Sequence, residues 1–325
     1  MPLKHGEGAL HEGPKWMALN PALVVLRGGA LGDHVLTLPA VARLRRLCPD
    51  QPMYWIGHPD RGRLARPDHL VDADGPIGAA LYGAEPSIPD WLRSADRIVA
   101  YSSSSERLAH RLQAACSGQI VTWDPRPNPE RREHTIDHLL APLPPCDPAR
   151  PEDGVPRFSP TDEERSAARQ HWADANIDPE DVVVIHAGSG GVSKCWPPGH
   201  FLQLGEWLER HGHAVVLLRG PAESENGHLF RTLTDRWPSI SAVDPVVLAS
   251  LLADIRCLIG NDSGPAHLAA AVGTTTLTLF GPTDPTRWRP VGGDGLVVQS
   301  PTSQMADLAV DAVCDAAQNL MQPAD

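Results

Sequence analysis

The 325-residue chain has little of what marks a membrane, secreted or metal-binding protein. No apolar run approaches the roughly 18 residues that a membrane helix needs, and residues 1–20 lack the apolar stretch of a secretory signal. Six scattered cysteines form no C-x-x-C pair and no metal-ligand spacing, which indicates reduced thiols. We therefore expect a cytoplasmic protein with at most peripheral membrane contact, no bound metal, and a disordered or tag-like leader over residues 1–20.

Positive charge is also scarce. Residues 1–150 hold 17 Lys+Arg against 17 Asp+Glu, and the remaining 11 and 23 give the whole net charge of −12. Nucleic-acid binding needs clustered cations, so no nucleic-acid partner is expected. The basic residues concentrate only at arginines 43, 45, 46, 61, 63 and 66. This cluster predicts an ordinary solvated face or, alternatively, a local patch for an anionic partner.

Short apolar runs alternate with helical patterns along the chain. The predicted strands are 22–28, 53–57, 96–102, 119–123, 181–188, 214–220, 257–262, 275–281 and 296–300. A proline-rich stretch over 141–160 interrupts this alternation and predicts a stiff, extended connection. The pattern predicts two doubly wound α/β domains facing each other: 21–150 and 161–302, a linker at 151–160, and a helical end within 303–325. Ligands of such folds bind at the carboxyl ends of the strands.

The first such strand end is "LRGGALGDHVLTLP", residues 26–39. Glycines before a helix suit a phosphate loop, but the carboxylate of Asp33 would repel a phosphate. Asp33 is therefore either the N-cap of the following helix or a group that acts on something other than a phosphate.

Two strand ends in the second half favour anion binding. In "HAGSGGVSKCWPP" (186–198), Ser189 and Gly190 lie in a glycine-rich turn and Lys194 offers a positive charge. No Ser or Thr follows the lysine to open a helix, so this is not a P-loop. Trp196 of the same segment either stacks on a ligand or, the reading we favour, anchors the core.

In "GNDSGPAHLAAAVG" (260–273) a strand leads directly into a helix, whose first turn with Ser263 and Gly264 makes an anion site. Asp262 suits a sugar hydroxyl or caps the helix, and His267 either touches phosphate or packs inside the protein.

A fourth strand end carries Glu223 and Glu225. An acidic residue here either binds ribose hydroxyls or lies in the first turn of a helix, where the helix dipole favours negative charge. Together the loops of the second half predict a nucleotide-diphosphate site without a P-loop. A carboxylate across the cleft then favours group transfer from an activated donor.

Three segments carry a family resemblance: VLRGGALGDHVLTLPAVARLRRLCPD (25–50), HAGSGGVSKCWP (186–197) and GNDSGPAHLAAAVGTTTLTLFGPTDPTRWRP (260–290). In this order they resemble glycosyltransferase family 9, the ADP-heptose heptosyltransferases. The resemblance implies the GT-B fold: two Rossmann-like domains facing a central cleft, an acceptor domain first and a nucleotide-sugar domain second. It also implies that the last helix packs back on the first domain.

The resemblance further implies an inverting, metal-independent transfer of heptose from ADP-heptose, without a cofactor, to a saccharide of the lipopolysaccharide core type. Asp33 resembles the general base, and Lys194 the group that neutralises the leaving diphosphate. The implied donor contacts are Ser189, Gly190, Lys194, Glu223, Asp262, Ser263, Gly264 and His267, with Glu225 as an alternative to Glu223. The implied acceptor contacts are Arg27, Gly29 and Ala30.

Other functions stay open at this point. The first domain is neutral overall and contains no acceptor motif that we recognise. The acceptors that stay open are therefore an inner-core lipid, another saccharide, a natural product or a protein, and other nucleotide-sugars fit the same loops. A nucleotide-sugar epimerase is disfavoured because it needs no acceptor cleft. A non-catalytic nucleotide-sugar-binding protein is disfavoured because Asp33 and Lys194 are both present.

Overall fold

The structure is a computed structural model that describes residues 22–83, 88–146, 148, 150–220, 227–241 and 244–321. The predicted leader and both candidate ribose ligands, Glu223 and Glu225, lie outside the described residues. No helix in the described ranges is long and apolar enough to cross a membrane.

The first domain is built on a five-stranded parallel sheet in the order β3-β2-β1-β4-β5. Its strands are β1 Leu23–Arg27, β2 Met53–Gly57, β3 His69–Asp72, β4 Arg97–Tyr101 and β5 Gln119–Trp123. In the register of this sheet, Arg27 lies between Gly57 and Tyr101, so these three strands end at one edge.

The second domain is built on a six-stranded parallel sheet in the order β11-β10-β9-β6-β7-β8. Its strands are β6 Val182–His186, β7 Ala214–Arg219, β8 Ser239–Ser241, β9 Cys257–Asn261, β10 Thr275–Phe280 and β11 Gly295–Gln299. In each sheet the first strand along the chain, β1 or β6, lies where the strand order reverses. Such switch points open a crevice at the carboxyl ends of the strands.

Helices connect the strands. In the described ranges they are α1 Leu31–Leu47, α2 Pro59–Gly62, α3 Pro76–Tyr82, α4 Asp90–Arg93, α5 Ser105–Ala115, α6 Thr135–Leu140, α7 Asp162–Asp174, α8 Pro198–Arg210, α9 Gly227–Thr234, α10 Pro245–Leu252, α11 Gly264–Ala271, α12 Pro285–Trp288 and α13 Val310–Met321. One buried apolar cluster includes side chains of both domains, among them Leu36 of α1 and Leu268 of α11.

The predicted strands are all present, each within two residues of its expected bounds. Two strands were not predicted, β3 and β8, and both lie at sheet edges. They span four and three residues and are only partly buried. Edge strands of this kind need no continuous apolar run, so their sequences give little signal.

The last helix, α13, does not return to the first domain as the resemblance implied. It packs on the second domain, against α8, β10 and β11. Val313, Cys314 and Ala317 insert into the apolar cluster of that domain. The helix thereby covers one face of β10 and of the edge strand β11, whose apolar side chains would otherwise face water.

The arginine cluster is partly solvated but is not a free patch, because four of its six members form ion pairs within the described part of the chain. Arg63 pairs with Asp244 and Arg66 with Glu164, both in the second domain. Arg46 likewise pairs with Asp153 in the connecting segment. Three arginines of the cluster therefore link the first domain to carboxylates of the second half of the chain.

Arg66 makes the most extensive of these contacts. Its two terminal nitrogens donate to the two carboxylate oxygens of Glu164 at 2.6 and 2.5 Å, and its guanidinium lies 4.5 Å from the ring centroid of Phe158. Chiefly because of the Arg66 hydrogen bonds, the pKa of Glu164 falls from 4.5 to about 2. Glu164 also accepts from the backbone N–H of Thr161 and so caps α7.

We predict that Glu164→Gln destabilises the protein at pH 7, by about 1 kcal/mol since the pair is partly exposed. The folded-state pKa of Glu164 is depressed, so its contribution is complete above pH 4.5. That contribution is lost as the pH falls from 4.5 towards 2. Urea unfolding of the variant and of wild type should therefore converge over this interval. Glu163→Gln, at an exposed neighbour, is the matched control; an equal effect there would contradict the assignment.

A candidate active site between the two domains

The two domains touch where the first turns of α1 and α11 meet. A Cβ atom on Gly264 would lie 2.7 Å from the Cβ of Leu31, and one on Gly32 would lie 3.1 Å from Cδ2 of His267. Such distances leave no room for a side chain at Gly264 and almost none at Gly32. The two glycines therefore allow the starts of the two helices, and the loops before them, to form one site.

Asp33 lies in the first turn of α1, at the mouth of this contact. Its Oδ2 accepts the backbone N–H of Ala30 at 2.8 Å, and its Oδ1 accepts from Nη2 of Arg27 at 3.0 Å. The N-cap of α1 is Ala30 and not Asp33, so the expected N-cap role is wrong. Asp33 instead satisfies the helix start from the third helical position, as the acidic member of a capping box does. Its side chain stays 33% exposed.

Arg27 lies beneath Asp33 and is buried. Its Nε donates to Oγ1 of Thr37 at 3.1 Å, and that hydroxyl donates to the backbone carbonyl of Asp33 at 2.7 Å. Burial lowers the pKa of Arg27, against the opposing effect of Asp33. The expectation that Arg27 contacts an acceptor directly does not fit this burial, since its guanidinium is directed to Asp33 and Thr37.

The loop before α1 is open. Gly28, Gly29 and Ala30 are exposed beside Asp33. Gly29 has φ of +104°, and a Cβ there would lie 2.5 Å from Oδ2 of Asp33, so only glycine fits. Arg61 donates to the carbonyl oxygen of Gly29 at 2.8 Å. No local sequence pattern indicates this contact, because Arg61 lies on α2, after β2, whereas Gly29 follows β1.

In the second domain, Lys194 forms an ion pair with Asp262. Its Nζ lies 2.9 Å from Oδ2 of Asp262, and Oγ1 of Thr283 donates to the same oxygen at 2.9 Å. Asp262 is buried, whereas the lysine side chain is about one third exposed. The N-cap position of α11 belongs to Ser263, so the alternative that Asp262 merely caps this helix is wrong. Its carboxylate holds Lys194 in place.

Hydrogen bonds to β9 and to the residue that follows it hold the glycine-rich turn before Lys194. Ser189 donates to the backbone carbonyl of Asp262 at 2.7 Å, and the carboxamide of Asn261 bonds to the backbone of Ala187 and Trp196. Trp196 is fully buried, which confirms the core role. Gly190, by contrast, faces open space. The hydroxyl of Ser189 therefore anchors the turn, while the backbone at Gly190 remains accessible.

His267 is a packed residue in the wall of the site, only 5% exposed. Its Nε2 lies 4.0 Å from Oδ1 of Asp262. Burial lowers the pKa of His267 to about 4, although the charges of Asp262 and Asp33 oppose this shift. The histidine is therefore neutral at pH 7. The carboxylates of both domains act on this one ring, which reflects how closely the site joins them.

The sequence profile of glycosyltransferase family 9 (heptosyltransferase) matches residues 149–316 of the chain. The chain belongs to this family. Lipopolysaccharide heptosyltransferase 3 of Escherichia coli (strain K12) is 31% identical over 177 residues, 48% of this chain and 46% of that protein. The chain thus matches less than half the length of such curated relatives.

Solved structures share the fold over nearly the whole chain. E. coli ADP-heptose lps heptosyltransferase II aligns with a TM-score of 0.71 at 16% identity, covering 92% of this chain and 98% of that one. E. coli heptosyltransferase WaaC with ADP-2-deoxy-2-fluoro heptose aligns with a TM-score of 0.65 at 17% identity, covering 92% and 99%. The family resemblance and the GT-B fold expected from the sequence are both confirmed.

We predict that Gly264→Ala lowers the free energy of unfolding by about 1–3 kcal/mol, because a methyl group must push Leu31 and the two helix starts apart. Urea unfolding measures the effect. Gly199→Ala is the control, since this helical glycine has open space around its Cβ position and alanine favours helix. Wild-type stability in Gly264→Ala would contradict the close contact.

Proposed function

We propose that this family 9 glycosyltransferase moves a heptose from ADP-heptose to a hydroxyl of a lipopolysaccharide-core saccharide, with inversion at the anomeric carbon. One observation carries the proposal: the Gly32–Gly264 contact brings together a domain with a partly exposed carboxylate, Asp33, and a domain with a lysine-bearing, glycine-rich turn. A base and a leaving-group site on opposite sides of a cleft suit direct displacement.

In this proposal Asp33 is the general base. Its carboxylate is fixed by Arg27 and by the N–H of Ala30, yet it remains open to the cleft. It takes the proton of the acceptor hydroxyl as that oxygen bonds to the anomeric carbon. The bond from this carbon to the diphosphate breaks at the same time, and ADP departs with the electron pair. Attack opposite the leaving group inverts the configuration.

Lys194 and the start of α11 receive the leaving diphosphate. Lys194 supplies a partly exposed positive charge, and the free N–H groups and dipole of α11 favour an anion at its first turn. Gly190 lets the backbone approach. Because Lys194 and the start of α11 compensate the charge of the departing diphosphate, we propose neither a metal nor another cofactor. The ribose contact of Glu223 or Glu225 stays a prediction.

The names of similar proteins support the choice of substrates. WaaC was solved with an ADP-heptose analogue, and the matching curated proteins are lipopolysaccharide heptosyltransferases. Placement in the cytoplasm remains a prediction.

We predict that Asp33→Asn lowers kcat by at least about 100-fold, because the amide cannot accept the hydroxyl proton. ADP release and product mass measure turnover, and titration calorimetry with ADP-heptose should give a wild-type Kd. Asp50→Asn, an exposed carboxylate in the turn before β2, is the matched control. Turnover within a few-fold of wild type would reduce Asp33 to a helix-capping residue. Product with retained anomeric configuration in NMR spectra would overturn the inverting mechanism.

We predict separately that Lys194→Met weakens ADP binding by about tenfold or more, through loss of a charge-assisted contact to phosphate. Calorimetry with ADP measures this. Val192→Ala is the control in the same turn, because Val192 is 70% exposed and carries no charge. Unchanged ADP affinity would remove Lys194 from the donor site.

A further inference from the structure

His34 follows the proposed base directly, but its side chain is directed into the protein. It is 1% exposed, and its ring lies against Trp55 with a centroid distance of 5.6 Å. Its Nδ1 lies 3.0 Å from the backbone carbonyl oxygen of Ala30. A carbonyl oxygen can only accept, so Nδ1 carries the proton and donates it.

With this bond, both the N–H and the C=O of Ala30 are hydrogen-bonded to side chains of α1. Asp33 accepts the N–H of Ala30 at 2.8 Å, and His34 donates to its C=O at 3.0 Å. Ala30 lies at the end of the exposed Gly28–Ala30 loop, whose backbone has no strand partner. A second tie is Arg61, which bonds Gly29. The orientation of Asp33 and the path of this loop are thus fixed by one another.

The surroundings of His34 keep its ring neutral. Burial, aided by the charges of Arg27 and Arg61, lowers the pKa of His34 to about 4, although the hydrogen bond to Ala30 and the charge of Asp33 raise it. Its Nε2 is buried and has no hydrogen-bond partner in the described part of the chain. Nδ1–H is therefore the one polar contact through which the ring acts on the site.

We propose that His34 is a positioning residue: its Nδ1–H fixes the Ala30 peptide and thereby aims the Asp33 carboxylate and the Gly28–Ala30 loop at the acceptor hydroxyl. The role in catalysis depends on the proposed function of Asp33, whereas the fixing of the loop does not. His34 itself touches neither substrate in this assignment.

Two substitutions separate the effect of the hydrogen-bond donor, Nδ1–H, from the effect of the imidazole ring. In His34→Asn the side-chain amide NH₂ occupies the place of Nδ1 and can donate to Ala30, whereas His34→Leu cannot. Both remove the imidazole ring that lies against Trp55 and are similar in size, so their comparison tests chiefly the hydrogen bond. We expect His34→Leu to lower kcat about tenfold or more, as small misplacements of a reacting group do, with an unchanged Kd for ADP-heptose. His34→Asn should recover kcat to within about threefold of wild type.

Amide hydrogen exchange of Ala30 gives a readout that needs no turnover. Exchange should be faster in His34→Leu than in wild type and near wild type in His34→Asn, at temperatures well below both unfolding transitions. Equal exchange and equal kcat in the two variants would overturn the positioning role of His34. This outcome is distinct from a failure of the proposed function, because the wild-type enzyme would still transfer heptose. If wild type transfers no heptose, the proposed function fails, and the exchange comparison still decides whether His34 fixes the loop.

Discussion

The close approach of Gly32 and Gly264 is the constraint on which the site depends. Helix starts with ordinary side chains at these positions would stand farther apart and would move the loop of Asp33 away from the second domain. The contact also directs two helix N-termini at one crevice, and both carry partial positive charge. Asp33 and Asp262 supply compensating negative charge at these two starts.

The charges around the crevice are balanced in pairs. Arg27 is matched by Asp33 and Lys194 by Asp262, and each carboxylate accepts a second hydrogen bond, from Ala30 and Thr283 respectively. Pairing of this kind offsets the cost of burying charge. Between the domains, partly exposed arginines of the neutral first domain likewise pair with carboxylates of the acidic second half. Part of the excess negative charge of the second half therefore pairs with arginines of the first domain.

Much of the fold could be predicted because it is encoded locally. Buried parallel strands leave continuous apolar runs, and glycines before helices mark the strand ends. The loops of Asp33, Lys194 and Ser263 were found for this reason. Arg61, Thr283 and His34 were not, since their partners lie on other elements or in a backbone whose path no local pattern gives. The pairing of Arg66 with Glu164, 98 residues apart, is equally invisible before the chain folds. The packing of α13 depends on which surface of the second sheet is left uncovered.

The Lys194–Asp262 pair bears on how the proposed reaction would begin. A lysine that stabilises a leaving diphosphate must leave or share its carboxylate partner when the donor binds. Thr283 bonds the same Oδ2 as Lys194, so Asp262 keeps a donor if the lysine turns away. The lysine side chain is partly exposed, whereas Asp262 is buried, so the lysine is the member free to move. Since breaking the pair costs free energy, a weakly bound anion would gain little at this site. In the proposed reaction, a nucleotide diphosphate that also bound the start of α11 would offset that cost.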